Sequence, residues 1–140
     1  MKKVNPLNLT LKDGTKVKYI GEVVNGYAHG QGKMVYDDGG YEIANYINNE
    51  PNGPLASYSK DGNITYESHF QNGVENGIRI DYNEDTSCRA ICFMKNDEKN
   101  GIEIFFMDDG SIVLNKYVNN TMKAWKHVLP DEFTLAPENK

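Results

Sequence analysis

An asparagine-centred motif recurs through the chain at nearly constant intervals. Its asparagines, Asn25, Asn48, Asn72, Asn96 and Asn119, stand 23, 24, 24 and 23 residues apart. Four units lead to a glycine, and the fifth leads to Ala124; the glycines are Gly30, Gly53, Gly77 and Gly101. Self-similarity at such a period is the signature of a repeat architecture, in which one small structural unit stacks on copies of itself.

A second landmark follows each glycine and precedes an acidic turn. It is an aromatic residue, at Tyr36, Tyr58, Tyr82 and Phe106. The turns are Asp37-Asp38-Gly39-Gly40, Lys60-Asp61-Gly62, Glu84-Asp85 and Asp108-Asp109-Gly110. The first unit aligns with the others if one extra residue is allowed between Asn25 and Gly32. Each unit therefore holds two short strands joined by an Asn-type turn and an Asp-type turn, both of which favour hairpins.

Alternation along the strands predicts which side chains share a face. Three residues in each unit fall on one face, and the aligned sets are Gly32, Met34 and Tyr36; Pro54, Ala56 and Tyr58; Ile78, Ile80 and Tyr82; and Ile102, Ile104 and Phe106. Arg79, Asp81 and Glu103 fall on the opposite, polar face. A period of two with frequent turns predicts an all-β protein: a single-layer twisted antiparallel sheet of about five tandem β-hairpin repeats.

The repeat array is expected to cover residues 11–124, after a lead-in over 1–10 and before a C-terminal cap and frayed tail over 125–140. Met122, Trp125, Val128 and Leu129 predict a short amphipathic turn or helix that Pro130 ends. Trp125 would cover the last hairpin or, alternatively, anchor a partner. An open sheet has two strand edges that must be protected. Trp125 and the early lysines, Lys2, Lys3, Lys12, Lys16 and Lys18, are the available caps.

The charge balance restricts the class of partner. The formal net charge is −5 and the sequence pI is about 5.2. Nucleic acid is not expected as a partner, because phosphate backbones need clustered Lys and Arg. A basic protein suits the chain better, although the same charge also serves solubility. No apolar run approaches a membrane span, and no signal peptide is expected, so we predict a cytoplasmic protein with free Cys88 and Cys92.

No pattern in the chain indicates catalysis. His29, His69 and His127 lack metal-ligand spacing, so no metal site and no cofactor are expected. The pairs Asp37-Asp38 and Asp108-Asp109 recur at turns, where Asp is favoured because its carboxylate bonds nearby backbone N–H groups. A repeat spreads like groups along a surface, whereas an active site gathers unlike groups in one pocket. We therefore predict that the protein is not an enzyme.

The repeat resembles the MORN family, and its bacterial variants most closely. The first unit carries the resemblance best, with Tyr19-Ile20-Gly21-Glu22, Asn25-Gly26 and His29-Gly30-Gln31-Gly32. Phe70 to Gly73, Asn76-Gly77 and Tyr82 match a looser form of the motif. The chain departs from the pattern at Ala124 and at Thr86, where a turn glycine is replaced. The resemblance covers about residues 11–124 and implies a sheet of hairpins used for binding proteins or acidic lipids; bacterial relatives include candidate antitoxins and immunity proteins.

These observations together predict a protein-binding repeat module. The leading hypothesis is a bacterial immunity protein or antitoxin that neutralises a toxic enzyme, with a basic toxin as the partner that the charge favours. The alternatives are a membrane- or lipid-associated scaffold and a structural protein that self-associates through its sheet edges. Exposed tyrosines are expected to contact the partner, drawn from Tyr27, Tyr36, Tyr41, Tyr58, Tyr66 and Tyr82. Acidic turn residues are expected to steer it, namely Asp37, Asp38, Asp61, Glu84 and Asp85.

Overall fold

The described residues of the chain fold as one open antiparallel sheet of thirteen strands, which confirms the predicted fold class. The structure is a computed structural model that describes residues 3–133, and side chains are described from 6 to 132. The strands are β1 (Lys3–Thr10), β2 (Lys16–Val24), β3 (Tyr27–Val35), β4 (Tyr41–Ile47), β5 (Glu50–Tyr58), β6 (Ile64–Gln71), β7 (Val74–Glu75), β8 (Gly77–Tyr82), β9 (Cys88–Lys95), β10 (Glu98–Lys99), β11 (Gly101–Phe106), β12 (Ile112–Val118) and β13 (Thr121–Val128). A 3₁₀-helix, Pro130–Phe133, follows. The frayed tail expected from Pro137 lies outside the described residues.

The five motif asparagines all occupy the same bend. Each has a positive φ between 47° and 52°, and each is followed by a second residue with positive φ, Gly26, Asn49, Gly73, Asp97 or Asn120. Two such residues form the tight hairpin turn whose twist matches that of its strands, and Asn tolerates this backbone better than other side chains do. The prediction of equivalent asparagine bends is confirmed. We call this side of the sheet the Asn-turn edge.

The acidic turns lie at the opposite side, the Asp-turn edge. At Asp13, Asp38, Asp85 and Asp109 one carboxylate oxygen accepts the backbone N–H of the residue two positions on, at 2.8–2.9 Å. The residue after each of these aspartates has positive φ, including the non-glycine Thr86 at 67°. The turn aspartates are thus fixed by their own backbone, as predicted. The Asp13 turn, between β1 and β2, extends the pattern by a hairpin that was not aligned from the sequence.

The alignment of the first unit was wrong by one residue. No extra residue lies between Asn25 and Gly32, because Gly30 takes the place of Gly53, Gly77 and Gly101, each with φ near 100°. At the Asp-turn edge the Tyr36 N–H donates to the Gly40 carbonyl. The Ser59 N–H donates to the Asn63 carbonyl in the same way, so Tyr36 is equivalent to Ser59. Val35 is therefore equivalent to Tyr58. Because side chains alternate, this shift places Met34 on the face opposite Ile78 and Ile80.

Backbone and side-chain hydrogen bonds link successive turns along the Asn-turn edge. The Asn49 N–H donates to the Ala28 carbonyl, and the Asn49 side chain accepts the Ala28 N–H at 2.7 Å. The same reciprocal pair joins Asp97 to Glu75 and Asn120 to Lys99. One link carries only the backbone bond, from the Gly73 N–H to the Pro51 carbonyl. Gly73 has no side chain that could accept a hydrogen bond, and Pro51 has no N–H that would need an acceptor.

The C-terminal segment differs from the sequence prediction. Residues 121–128 form the edge strand β13 and not an amphipathic turn or helix. Trp125 does not cover the last hairpin, since its side chain is 67 % exposed. At the other edge Lys16 and Lys18 lie on β2, so the edge strand β1 is interrupted instead by Pro6 and by a register shift between Val4 and Leu7. The strand β13 extends the sheet to Val128.

One face of this single layer is buried, and we call it the inner face. Its central row crosses the sheet through cross-strand pairs: Tyr19, Met34, Glu42, Ser57, Tyr66, Asp81, Ala90, Phe105, Val113 and His127. Tyr19 and Tyr46 are fully buried and meet edge to face with ring centroids 5.6 Å apart. Lys12 in the first Asp turn pairs with Glu50 at the Asn-turn edge, so the sheet coils towards its inner face.

Candidate protein-binding face

The outer face presents an exposed apolar surface in the C-terminal half. Its central row runs Ile20, Lys33, Ile43, Ala56, Glu67, Ile80, Ile91, Ile104, Leu114 and Lys126. A second row adds Ile78, which pairs with Phe93, and Ile102. We define the outer apolar patch as Ile78, Ile80, Ile91, Phe93, Ile102 and Ile104. Ile78, Phe93 and Ile102 are 45 %, 50 % and 44 % exposed, which is unusual for neighbouring large apolar side chains.

Acidic turns border this patch at the Asp-turn edge. Glu84, Asp85, Asp108 and Asp109 are all exposed, and neither turn contains Lys or Arg. Phe106, 41 % exposed, lies between these turns and the patch. Within the face, Arg89, Lys95 and Lys116 are also exposed. An apolar centre with a charged rim is the usual composition of a protein-protein interface.

Ion pairs on the inner face support the same strands from behind. Arg79 on β8 contacts Glu75 at 3.3 Å and Asp81 at 3.1 Å, and its guanidinium lies 4.2 Å from the Tyr66 ring centroid. The buried Glu75 also accepts the Ser68 hydroxyl at 2.5 Å. Burial of a carboxylate is tolerated only when its oxygens are paired in this way. The apolar residues of β8 consequently face outward.

A second buried carboxylate continues this network into the last unit. Glu103 on β11 is almost fully buried and receives Lys99 at 2.5 Å and the Asn115 amide at 3.1 Å. Lys99 also lies over the Tyr117 ring, 5.2 Å from its centroid. Within the described residues both acids are satisfied by side chains of this chain. The network is therefore explained as a support for the sheet without a bound ligand.

The six tyrosines predicted as contacts do not share one surface. Tyr41 and Tyr58 stack on the outer face with centroids 5.0 Å apart, and the Lys33 ammonium lies 4.1 Å from the Tyr41 ring. Tyr82, also outer, hydrogen-bonds Glu67, a contact that raises its pKa to about 12. Tyr27 is half exposed beside the first Asn turn. The acidic residues predicted to steer a partner, Asp37, Asp38, Asp61, Glu84 and Asp85, are exposed along the Asp-turn edge.

Tyr36 and Tyr66 lie instead on the inner face. Tyr36 packs against the apolar core and hydrogen-bonds the buried Glu42, which also accepts the Tyr46 hydroxyl at 3.0 Å. Desolvation, and secondarily the Glu42 charge, raises the pKa of Tyr36 and Tyr46. Desolvation also raises the pKa of Glu42 itself, against the lowering effect of the two hydroxyls. These groups stabilise the sheet, so they are poor candidates for direct partner contacts.

A serine near the last Asp turn touches both an acid and a histidine. The Ser111 hydroxyl donates to Asp109 at 2.5 Å, and His127 Nε2 lies 2.9 Å from Ser111 Oγ. Ser111 is buried and its proton is directed at the carboxylate, whereas a nucleophilic serine would direct it at the imidazole. The arrangement ties β13 to the turn before β12. It has no geometry for acyl transfer.

The remaining candidate groups form no obvious reaction centre. Cys88 and Cys92 are free thiols, and burial raises the pKa of Cys92 to about 11, which disfavours the thiolate. Within residues 3–133 no group of three or more His, Cys, Asp or Glu side chains is placed to hold a metal ion. His29 on β3 holds a buried Nδ1 without a hydrogen-bond partner among these residues. It stands where Asn52, Asn76 and Asn100 accept a turn N–H in later units.

The outer apolar patch was missed by the sequence reasoning. Ile78, Ile80, Ile102 and Ile104 were recognised as sharing a face, but that face was equated with Met34 and Tyr36, which are inner residues. The available signal was the charge of the intervening residues. Arg79 pairs with Asp81, and Glu103 pairs with Lys99 four residues before it, so these charges can be buried together on the polar side while the isoleucines between them face outward.

Comparison with known proteins gave no match to any protein-family model and none to a curated protein. The resemblance to MORN repeats thus rests on the motif residues alone and remains a prediction. In the described part of the chain no helix has the length and apolar character needed to cross a membrane.

Proposed function

We propose that this protein is a non-catalytic binding module that holds another protein against the outer face of its C-terminal half. The supporting observation is the outer apolar patch, whose exposed isoleucines and phenylalanine lie side by side on a sheet without a second layer. Exposed apolar surface of this kind marks interaction sites in soluble proteins. Truncating such side chains would remove affinity from the centre of the contact, where hot spots concentrate.

Within this class, an immunity protein or antitoxin that blocks a toxic enzyme is the function we favour. Small size, acidity and the likeness to bacterial MORN variants support it. The exposed acids of the Asp-turn edge would steer a basic enzyme towards the patch, because complementary charge accelerates encounter. The partner is accordingly expected to be a basic protein with an apolar contact surface.

Neutralisation of toxicity provides the direct test. A basic protein encoded beside this gene would be produced in cells with and without the chain, and growth and purified-complex affinity measured. Phe93→Lys with Ile102→Lys should abolish rescue and weaken binding by about 100-fold or more, since two buried contacts are each worth about 2 kcal/mol or more. Ile20→Lys with Ile43→Lys is the matched control, because these residues are equally exposed on the outer face of the N-terminal half.

The proposal requires that the Phe93 and Ile102 changes, and not the control changes at Ile20 and Ile43, remove rescue and binding. Rescue that survives the Phe93 and Ile102 changes, or that fails only with the control pair, would contradict the assignment of the patch. Circular dichroism of each variant establishes that the sheet is intact before binding is compared.

A lipid-binding scaffold is the alternative that one specific observation favours. Arg89, Lys95 and Lys116 are exposed around the apolar side chains, and such a surface attracts anionic membranes. Co-sedimentation with phosphatidylserine vesicles distinguishes the two functions. Strong uptake that is lost in the Phe93 and Ile102 variant would replace the protein-binding proposal.

A further inference from the structure

Among residues 3–133 the last strand, β13, pairs only with β12, and its other edge has no neighbouring strand. Seven of its eight residues are exposed, and the following 3₁₀-helix leaves them so. The first strand is protected differently, since Pro6 lacks an N–H and the pairing shifts between Val4 and Leu7. Natural sheets normally protect both edges, because an open edge accepts another strand. In the described part of the chain, β13 is the edge that stays open.

The turn geometry identifies the unpaired backbone groups. The two-residue turn Asn119-Asn120 closes on the pair Val118–Thr121, and such a turn closes on a hydrogen-bonded pair. Counted along β12, bonding alternates from Val118 to Lys116 and Leu114, and the register shift between Lys116 and Tyr117 places Lys126 opposite Leu114. Lys126 therefore bonds back to β12, while the N–H and C=O of Trp125 and His127 point away from the sheet. The next outward N–H, that of Leu129, is already capped by Glu132 at 2.9 Å.

The charge of this edge selects the chemistry of the incoming strand. β12 and β13 hold Lys116, Lys123 and Lys126 and no Asp or Glu, in a chain whose net charge is −5. Opposite charges on adjacent strands stabilise their pairing, and like charges oppose it. A second copy of β13 would therefore set lysine against lysine. An acidic strand would meet complementary charge on both sides of the exposed Trp125 ring.

We propose that β13 is a strand-addition site for an extended acidic segment of a partner protein, which pairs with the backbone of Trp125 and His127. Such a segment would become the next strand of the sheet, with main-chain hydrogen bonds giving affinity and the lysines giving selectivity. The site is separate from the outer apolar patch. Its test needs only the purified chain, so its failure would leave the proposed function untouched.

The experiment titrates the full chain with a short blocked peptide of alternating glutamate and valine. Trp125 is the only tryptophan, so its fluorescence and indole N–H resonance report binding directly. We expect a saturable blue shift and slower amide exchange at Trp125 and His127. Lys123→Glu with Lys126→Glu should weaken this binding on the order of tenfold and transfer preference to a lysine-valine peptide. Lys16→Glu with Lys18→Glu, on β2, should change neither.

A second pair of variants separates strand addition from simple charge attraction. His127→Pro removes an outward N–H and should abolish binding, whereas His127→Ala, which loses the same contact with Ser111, should retain it. Equal binding by both variants would overturn the proposal. So would protection of these two amides in the dilute free chain, which would indicate that residues 134–140 cover the edge, or protection that grows with protein concentration, which would indicate a second copy.

Discussion

From β2 to β5 large apolar side chains fill the inner face, whereas from β8 to β11 the inner face carries charged residues and isoleucines cover the outer face. Tyr19, Met34 and Tyr46 fill the first region from inside. In the second region the inner face holds Arg79, Asp81 and Glu103, of which Asp81 takes the place of Met34, while isoleucines face solvent. The buried hydrophobic cluster accordingly ends at Leu55. One repeat backbone can thus carry a stabilising half and a surface-forming half, because alternation allows the two faces to exchange character.

This exchange predicts unequal stability along the sheet. Burial of apolar area is the dominant favourable term in folding, and the N-terminal half obtains it on the inner face. The C-terminal half relies on ion pairs whose desolvation offsets much of their attraction. A partner that covers the outer apolar patch would supply the missing burial. Hydrogen exchange should therefore be slower in β3 and β4 than in β9 and β11.

The largest expected effect comes from the tyrosine common to both halves. Tyr46→Ala leaves a cavity in the buried cluster and removes a hydroxyl from Glu42, so the free energy of unfolding should fall by about 4 kcal/mol. Tyr117→Ala, at the matching place in the last unit, should cost about 1 kcal/mol because Tyr117 is only half-buried. Urea unfolding followed by circular dichroism measures both. Equal losses would mean that the halves do not differ.

Breaking one ion pair should have the next largest effect. Arg79→Leu strands the buried Glu75 with only Ser68 as a partner, and we expect a loss of about 3 kcal/mol. The double variant Glu75→Leu with Arg79→Leu should recover most of it, since the buried carboxylate is removed and Asp81, which also loses Arg79, is one-third exposed and keeps contact with water. If the single variant is as stable as the parent, the inner-face network does not support the C-terminal half.

The hydrogen bonds that link successive Asn turns should make smaller and similar contributions to stability in the two halves. Asn49→Gly and Asp97→Gly each keep the positive φ while removing the side chain that accepts the N–H of Ala28 or Glu75 at 2.7 Å. Each change should lower the free energy of unfolding by about 1 kcal/mol. Glycine already occupies the equivalent turn position at Gly73. Amide exchange at Ala28 and Glu75 should accelerate in the corresponding variant alone. Loss of amide protection across the whole sheet would show that these hydrogen bonds do not act locally.

The smallest expected effect is a pH dependence confined to the N-terminal half. Burial raises the pKa of Glu42 above its usual 4.5, so near neutral pH the folded state carries a desolvation cost that the unfolded state does not. Stability should therefore fall as pH rises from 4.5 to the raised pKa and level off above it. Glu42→Gln should flatten the slope in urea unfolding measured across this range. Hydrogen bonds from the turn lower the pKa of Asp13, Asp85 and Asp109 below 3.8, so these three titrate below this window.

The recurring asparagines and turn aspartates were sufficient to predict hairpins, because a tight turn depends on residues adjacent in sequence. Asn72 and Asp85 lie at bends as expected. The candidate site was only partly predictable. Tyr41, Tyr58 and Tyr82 are outer residues, but Tyr36 and Tyr66 support the inner face. A one-residue alignment error reversed the face of Met34, and composition alone could not detect it.

The sequence by itself determined the hairpin repeat, the kind of turn at each edge and the alternation along the repeated strands, since these follow from local backbone preferences. Only the tertiary structure decided which face is buried, because both faces carry large side chains and the direction in which the sheet coils selects between them. Coiling depends on packing between strands distant in sequence, such as the contact that joins Tyr19 to Tyr46. It encloses Tyr46 in the N-terminal half and leaves Phe93 in solvent in the C-terminal half.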